Sequence, residues 1–266
     1  MPGPRRSALI NVMAGAALKA AKGLIRDFGE VEQLQVSVKG PGNFVSTADH
    51  RAEKVLRQEL QHGRPDYSFL MEESGAIAGS DAEHRWIVDP LDGTTNFLHG
   101  LPHFSISIAL ERAGEIVAGV VFDPIKDELF WAEKGIGAYL NDRRLRVSSR
   151  RQLATALVAT GTSYEFGAQR SRYLAQLDRV MENVADVRRM GSAALDLAYV
   201  AAGRFDGYWE YGLSPWDVAA GILLVREAGG YVSDPDNDGD PVASGNILAA
   251  NDHLHAPLQS MLVQVS

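Results

Sequence analysis

The chain predicts an α/β fold of layered helices and sheets, an αβαβα sandwich. Three patterns in the sequence point to it. Apolar residues recur at helical spacing near the start, the middle alternates at strand spacing, and the second half interleaves strands with helices. The rhythm changes near "NDRRLRVSSRRQL", which sets an expected boundary between a first half, 1–145, and a second, 146–266. The two halves could equally form one compact unit.

Leu9, Val12, Met13, Ala16, Ala17, Ala20 and Leu24 trace one face of a first helix. Lys19, Lys22, Arg26 and Asp27 interrupt it too early for a signal peptide, and no apolar run is expected to reach transmembrane length. "KGPGNFVSTAD" reads as a loop leading into the helix "HRAEKVLRQELQ", with Ser46, Thr47 and Asp49 as candidate caps. "YSFLMEES" and "HRWIVDPLDGTTNF" each read as a strand ending in acids, the second stopping in a tight turn. Two hairpins follow, the first turning at Ala113-Gly114, to form an antiparallel meander. Then come strand "ALVATG", helix "RSRYLAQLDRVMENV", strand "DVRRM", helix "SAALDLAYVAAGR", strand "FDGYWEYG" and helix "PWDVAAGILLVREAGG" with a Gly-Gly stop. "GNILAAN" and a last helix complete the chain.

At 266 residues the chain can bury a substantial core, and it contains no cysteine. Disulfides, thiolate metal sites and cysteine nucleophiles are excluded, so any metal must be held by oxygen or histidine. A net charge of −8 disfavours general binding to nucleic acid or membrane surfaces. A cytoplasmic protein is expected.

The acids gather where strands end and helices begin: Asp49, Glu72-Glu73, Asp89 with Asp92, and Asp217. Lone charges in apolar surroundings are costly, and several together are worse unless cations share the site. Hard divalent ions with oxygen ligands, magnesium above all, suit such a set. Thr94 opens a short helix beside it, a natural seat for phosphate. A single "DPLDG" is more often an ordinary turn. The joint occurrence points to magnesium-dependent phosphate chemistry.

Together, "MEES", "WIVDPLDGTTNF" and "SPWDVAAGILLVREAGG" resemble the inositol monophosphatase family, in particular its bacterial SuhB-type branch. The resemblance runs from about Lys39 to Gly230 and implies a sugar-phosphatase-like fold. It further implies a lithium-sensitive, magnesium-dependent phosphomonoesterase and a homodimer. Glu72, Asp89 and the Leu91 carbonyl would hold a first magnesium, and Asp89, Asp92 and Asp217 a second. Glu72, with Glu73 nearby, would flank a third. Thr94 would bind the attacking water, with Glu72 as base and Asp49 orienting Thr94. Gly93 and Thr95 would donate to phosphate, and Lys39 would stand near the entrance. The polyol would lie against Gly191, Ser192 and Ala193, with Glu210 accepting from its hydroxyls and Asp92, Asp217 and Ser163 adjoining. Inositol 1-phosphate or a similar small polyol phosphate is the implied substrate. Fructose 1,6-bisphosphate, phosphoadenosine phosphate and histidinol phosphate are those of sister branches. Some SuhB-type relatives are associated with transcription complexes, so contact with RNA polymerase or nucleic acid is a second role to test.

Other signals are weaker. "DPDNDGDP" imitates a calcium loop, but its twelfth position is Gly245 where glutamate is needed, and a solvated hairpin loop is expected instead. "RRLRVSSRR" reads as a charged edge strand. His99 and His103 read as structural.

Overall fold

The computed structural model describes residues 6–31, 36–40, 43–162, 170–236 and 239–263, with the backbone alone at 36–40 and 43–46. The outer layer is a helix pair, α1 (Ala8–Phe28) and α2 (Thr47–Gly63). Ser7 caps α1 by accepting from the Ile10 amide at 3.2 Å. Ile10, Met13, Ala17, Ala20 and Leu24 form the buried stripe that the spacing predicted. At 21 residues α1 is long and apolar enough to cross a bilayer, contrary to expectation. Its apolar stripe, however, packs into one core with residues of α2 and the first sheet. Arg26 and Arg51 both pair with Asp27, buried in the last turn of α1, and Arg51 ties α2 to it.

The first sheet runs in the order β10-β9-β8-β7-β6-β5-β3-β4. Its strands are β3 (Ser68–Met71), β4 (Gly75–Ile77), β5 (His84–Asp92), β6 (Ser105–Arg112), β7 (Glu115–Asp123), β8 (Glu128–Glu133), β9 (Gly137–Leu140) and β10 (Arg143–Arg144). β3 and β5 are parallel and the other pairings antiparallel. Ala113 (φ 51°) and Gly114 (φ 82°) make the expected two-residue hairpin between β6 and β7. Alternation serves both faces. Trp86, Val88, Ile108, Leu110, Val120 and Trp131 meet the α1–α2 layer, while Ile87, Ala109, Val121 and Phe130 meet the layer behind.

That central layer is α5 (Ala193–Ala201) and α6 (Pro215–Glu227). Behind it lies a second sheet in the order β12-β11-β13-β15-β14: β11 (Leu157–Thr160), β12 (Asp186–Arg188), β13 (Gly207–Glu210), β14 (Tyr231–Ser233) and β15 (Ile247–Ala250). Its far face is covered by α4 (Arg170–Asn183) and α8 (His255–Val263), around Val158, Trp209, Leu248 and Leu258. The αβαβα layering is therefore present. α5, apart from Asp196, and Val218–Val225 of α6 are apolar all round because both faces are buried. A Cβ at Gly221 of α6 would come within 2.5 Å of the Leu197 side chain of α5, so this contact needs a residue without one.

Several local expectations fail. The expected loop before α2 contains an antiparallel pair, β1 (Val36–Gly40) and β2 (Asn43–Ser46). Only Arg143–Arg144 of the basic string form an edge strand; the chain from 145 to 152 is irregular, with Leu145 buried. "DPDNDGDP" lies in the connection of the antiparallel pair β14–β15, before a short helix, α7 (Pro241–Ser244); Asp236, Gly239 and Asp240 are exposed as expected of a solvated loop, but Asp234 is fully buried. Asp236 is taken up by Arg172. Short strands such as β4 and β14 carry too few residues for a periodic signal.

Gly221→Ala is expected to cost about 1–3 kcal/mol by overpacking. Leu197→Ala in the same chain should recover part of that loss, measured as a double-mutant cycle in urea unfolding.

Candidate active site

Asp89 and Asp92 are three residues apart, a spacing that puts side chains on opposite faces of a regular strand. β5 does not stop at Pro90 in a tight turn, as the sequence suggested. It continues to Asp92 with a register shift: Asp89 pairs with Ser107 and Asp92 with Ser105, so three steps on β5 oppose two on β6. This is a β-bulge, and it brings the two carboxylates to one face. Pro90, which has no amide hydrogen to give the ladder, falls inside it. Gly93 (φ 93°) then turns the chain into α3 (Thr94–Leu98).

The remaining acids arrive from neighbouring elements. Glu72 follows β3, and its amide still bonds Val88 O of β5 at 3.2 Å. Glu53, buried on α2, accepts from the amides of Glu73 at 2.9 Å and Ser74 at 3.3 Å, and from the Ser74 hydroxyl, fixing the Glu72–Glu73 turn. Asp217 is the third residue of α6 and completes a capping box, accepting from Ser214 N at 2.7 Å. Asp49 is buried in the first turn of α2. The sites of the parallel strand ends and the helix starts therefore coincide.

Electrostatics report the convergence. Burial, then Glu72, Asp92 and Asp217, hold the Asp89 carboxyl well above its ordinary value, with a hydrogen bond to Glu72 adding to the shift. Burial, then Asp92, raises Asp217 similarly. Burial lifts Asp92 to about 6, and donors from Ser192 and Ala194 partly offset it. Among the described residues no three Asp, Glu or His side chains are already closed around one point. One oxygen of each of the three aspartates is committed to the scaffold: Asp89 Oδ1 to Leu91 N at 2.8 Å, Asp92 Oδ2 to Ala194 N at 2.9 Å, and Asp217 Oδ2 to Ser214 N at 2.7 Å. A carboxyl–carboxyl hydrogen bond such as Asp89–Glu72 requires a shared proton, and a hard divalent cation is the species that would replace it. The all-oxygen donor set fits such an ion.

The other expected residues gather around this cluster. Thr94 is half-buried, its hydroxyl donating to Leu91 O at 3.0 Å, and Gly93 and Thr95 adjoin it. Ser192 Oγ also bonds Asp92, so Asp92 in the first sheet caps the start of α5 and draws in Gly191, Ser192 and Ala193. Glu210, at the end of β13, is buried and accepts from Tyr208 Oη at 2.6 Å. Burial raises it to about 7, although the Tyr208 hydrogen bond opposes the shift. Lys39 lies on β1, where side chains are outside the described residues, as is Ser163 altogether. His99 is exposed; His103 is buried against Tyr199, and burial lowers its ring to about 4.

Sequence reasoning missed Glu53, Asn96, Ser105, Tyr208 and Asp196. Asn96 Nδ2 donates to His103 O and Met190 O, both at 2.8 Å, which ties α3 to the strand-to-α5 connection. Glu53 carried a signal, since it lies beside the buried stripe Ala52, Leu56 and Leu60. The others become visible only when the sheets are packed.

The inositol monophosphatase family model matches residues 5–265. The chain belongs to the inositol monophosphatase family. It is 58% identical to an inositol-1-monophosphatase of Rhizobium meliloti over 257 residues, 97% of each chain. The crystal structure of extragenic suppressor protein SuhB from Bartonella henselae superposes with a TM-score of 0.94 at 57% identity, covering 96% of this chain and 98% of that one. The Nus factor SuhB of Escherichia coli K12 is 44% identical over 243 residues, 91% of each. Metal dependence is general in this family, and the carboxylate cluster accords with it.

Two expectations follow from the geometry. Asn96→Ala should lower kcat/KM by about 10–100-fold through misplacement of the Gly191–Ala193 arm, read by steady-state kinetics. Asp89, Asp92, Asp217 and Glu210 are all raised. The metal-free folded state therefore holds more protons than the unfolded chain, and stability should fall as pH rises from about 5 to about 7.5. Thermal unfolding across that range, with chelator and then with magnesium, should show the slope flatten when the ion is added.

Proposed function

We propose that this phosphoric monoester hydrolase acts on a small phosphorylated polyol, inositol 1-phosphate first, with two or three magnesium ions per site. The β5 bulge carries the reading, because it aims Asp89 and Asp92 at the space reached by Glu72 and Asp217. Glu72, Asp89 and Leu91 O would hold a first ion, and Asp89, Asp92 and Asp217 a second, with Glu72 and Glu73 beside a third. Magnesium bound there supplies positive charge to the phosphoryl oxygens and acidifies water at neutral pH. Glu72 takes the proton from the attacking water, and Thr94, oriented with help from Asp49, fixes its direction. Gly93 and Thr95 hold the phosphate in line for attack. Glu210 accepts from ring hydroxyls beside Gly191, Ser192 and Ala193, with Asp92, Asp217 and Ser163 adjoining and Lys39 near the entrance. A cytoplasmic homodimer, inhibited by lithium, completes the reading.

The relatives named as Nus factors support a second reading, in which a surface of this chain joins a transcription complex. The exposed arginines Arg143–Arg144 and Arg188 are candidate contacts. Affinity capture of RNA polymerase by wild type and by Asp92→Asn tests it. Capture by both would make the role independent of catalysis, and capture by neither would remove it.

Phosphate release from inositol 1-phosphate, fructose 1,6-bisphosphate, phosphoadenosine phosphate and histidinol phosphate, with and without magnesium, tests the main reading. Magnesium-dependent preference for inositol 1-phosphate is expected. Preference for another ester would move the substrate to a sister branch. Glu72→Gln, Asp89→Asn and Asp92→Asn should each reduce turnover to background while remaining folded by circular dichroism. Full activity in any of them would overturn the metal assignment.

A further inference from the structure

Two neighbours on the second sheet fix the direction in which the Glu210 carboxylate points. Tyr208 and Glu210 are two apart on β13, so their side chains leave the same face of the strand. That face looks toward the central layer, because Tyr208 is fully buried in the core it shares with α5 and α6. The strand is held on both edges, with Tyr208 paired to Ala159 of β11 and to Ala249 of β15. From this fixed position Tyr208 Oη donates to Glu210 Oε2 at 2.6 Å, a length in the range of charge-assisted hydrogen bonds. Oε1 receives no hydrogen bond among the described residues, and Glu210 keeps 8% exposure.

The second neighbour is Gly161, the residue after β11. Thr160 pairs with Trp209, which sets Gly161 beside Glu210 at the next step of the register. A Cβ at Gly161 would fall 1.8 Å from Oε2, 2.1 Å from Cδ and 2.3 Å from Oε1. The carboxylate therefore lies face-on against this glycine, and a side chain of any size would displace it. With one oxygen tied and one face blocked, the group has lost its freedom to turn before a ligand arrives. A free side chain gives up about 0.5–1.5 kcal/mol when a ligand orders it.

We infer that Tyr208 and Gly161 are positioning residues for hydroxyl recognition: Tyr208 occupies Oε2, Gly161 makes room for the carboxylate, and Oε1 is thereby presented ready-oriented to a substrate hydroxyl. The inference rests on the polyol-phosphatase reading above and supplies a cause for its selectivity. Phosphate chemistry is set by the acid cluster, whereas preference for hydroxyl-bearing esters depends on these two residues.

The test is steady-state kinetics with magnesium on inositol 1-phosphate and on p-nitrophenyl phosphate, which has no hydroxyls. Tyr208→Phe removes one oxygen and keeps the buried ring. It should lower the ratio of kcat/KM for inositol 1-phosphate to that for p-nitrophenyl phosphate by roughly three- to tenfold, the scale of one hydrogen bond. The loss should lie in KM for inositol 1-phosphate and not in kcat, as for a contact made equally in ground and transition states. Gly161→Ala should lower the same ratio at least as far, so either variant decides the matter if the other does not fold. In a Glu210→Ala background, Tyr208→Phe should change the ratio by less than about twofold, because both act through one carboxylate. An unchanged ratio in Tyr208→Phe would overturn the inference. So would equal losses on both esters, which mean a structural role, or a full further loss in the Glu210→Ala background. Wild type that hydrolyses p-nitrophenyl phosphate but no polyol phosphate would refute the substrate reading itself, and this role with it.

Discussion

Mutual repulsion among Glu72, Asp89, Asp92 and Asp217 is the constraint around which this molecule is built. After burial, Glu72, Asp92 and Asp217 raise the Asp89 carboxyl and Asp92 and Glu72 raise that of Asp217, and two of the four are buried outright. Left alone they would separate or stay protonated. They are kept together because each is anchored by a backbone element that cannot move independently. Asp89 and Asp92 share a bulged strand, Glu72 ends the parallel strand beside it, and Asp217 is locked into the capping box of α6. Burial, with Asp92 adding to it, also holds the nearby Glu210 carboxyl up, at about 7. A fold that tolerates such stored repulsion needs a large apolar core, and three cores between five layers supply it.

The central helices transmit this arrangement to the substrate side. Asp92 from the first sheet receives the Ser192 hydroxyl and the Ala194 amide at the start of α5, so one carboxylate serves both the acid cluster and a helix cap. Asn96 bonds carbonyls of His103 and Met190, and Ser107 bonds Trp216 O of α6 at 3.0 Å. Apart from Asn96–His103, these contacts cross between segments about a hundred residues apart in sequence. The start of α3, the Gly191–Ala193 segment and the acid set are thus aligned by the same packing that closes the interior.

Much of this was legible in the chain. Period-3.6 spacing located α1 and α2, and the Ala113-Gly114 turn located β6 and β7, because both signals are local. The acids were legible for a different reason: carboxylates at strand ends conflict with burial, and a conflict of that kind marks a site. What failed was short or context-dependent. The run from Pro90 to Asp92 looks like a turn, since proline and glycine both favour one, yet the pairing partner β6 pulls it into a bulged strand. No apolar run was expected to reach transmembrane length, yet α1 does on average hydropathy; its stripe is packed in the core, while Lys19 pairs with Glu59 of α2 at the surface.

The sequence by itself determined the layered class and the exclusion of thiolate ligands, because composition and periodicity are properties of the chain alone. Tertiary structure decided the face on which Asp89 and Asp92 emerge, since a strand's side-chain direction depends on register with its neighbour. It also decided that Glu53 holds the Glu72 turn and that Asn96 ties α3 to the segment before α5. Each of those roles is a distance between residues remote in sequence. Such a distance exists only once five layers have packed.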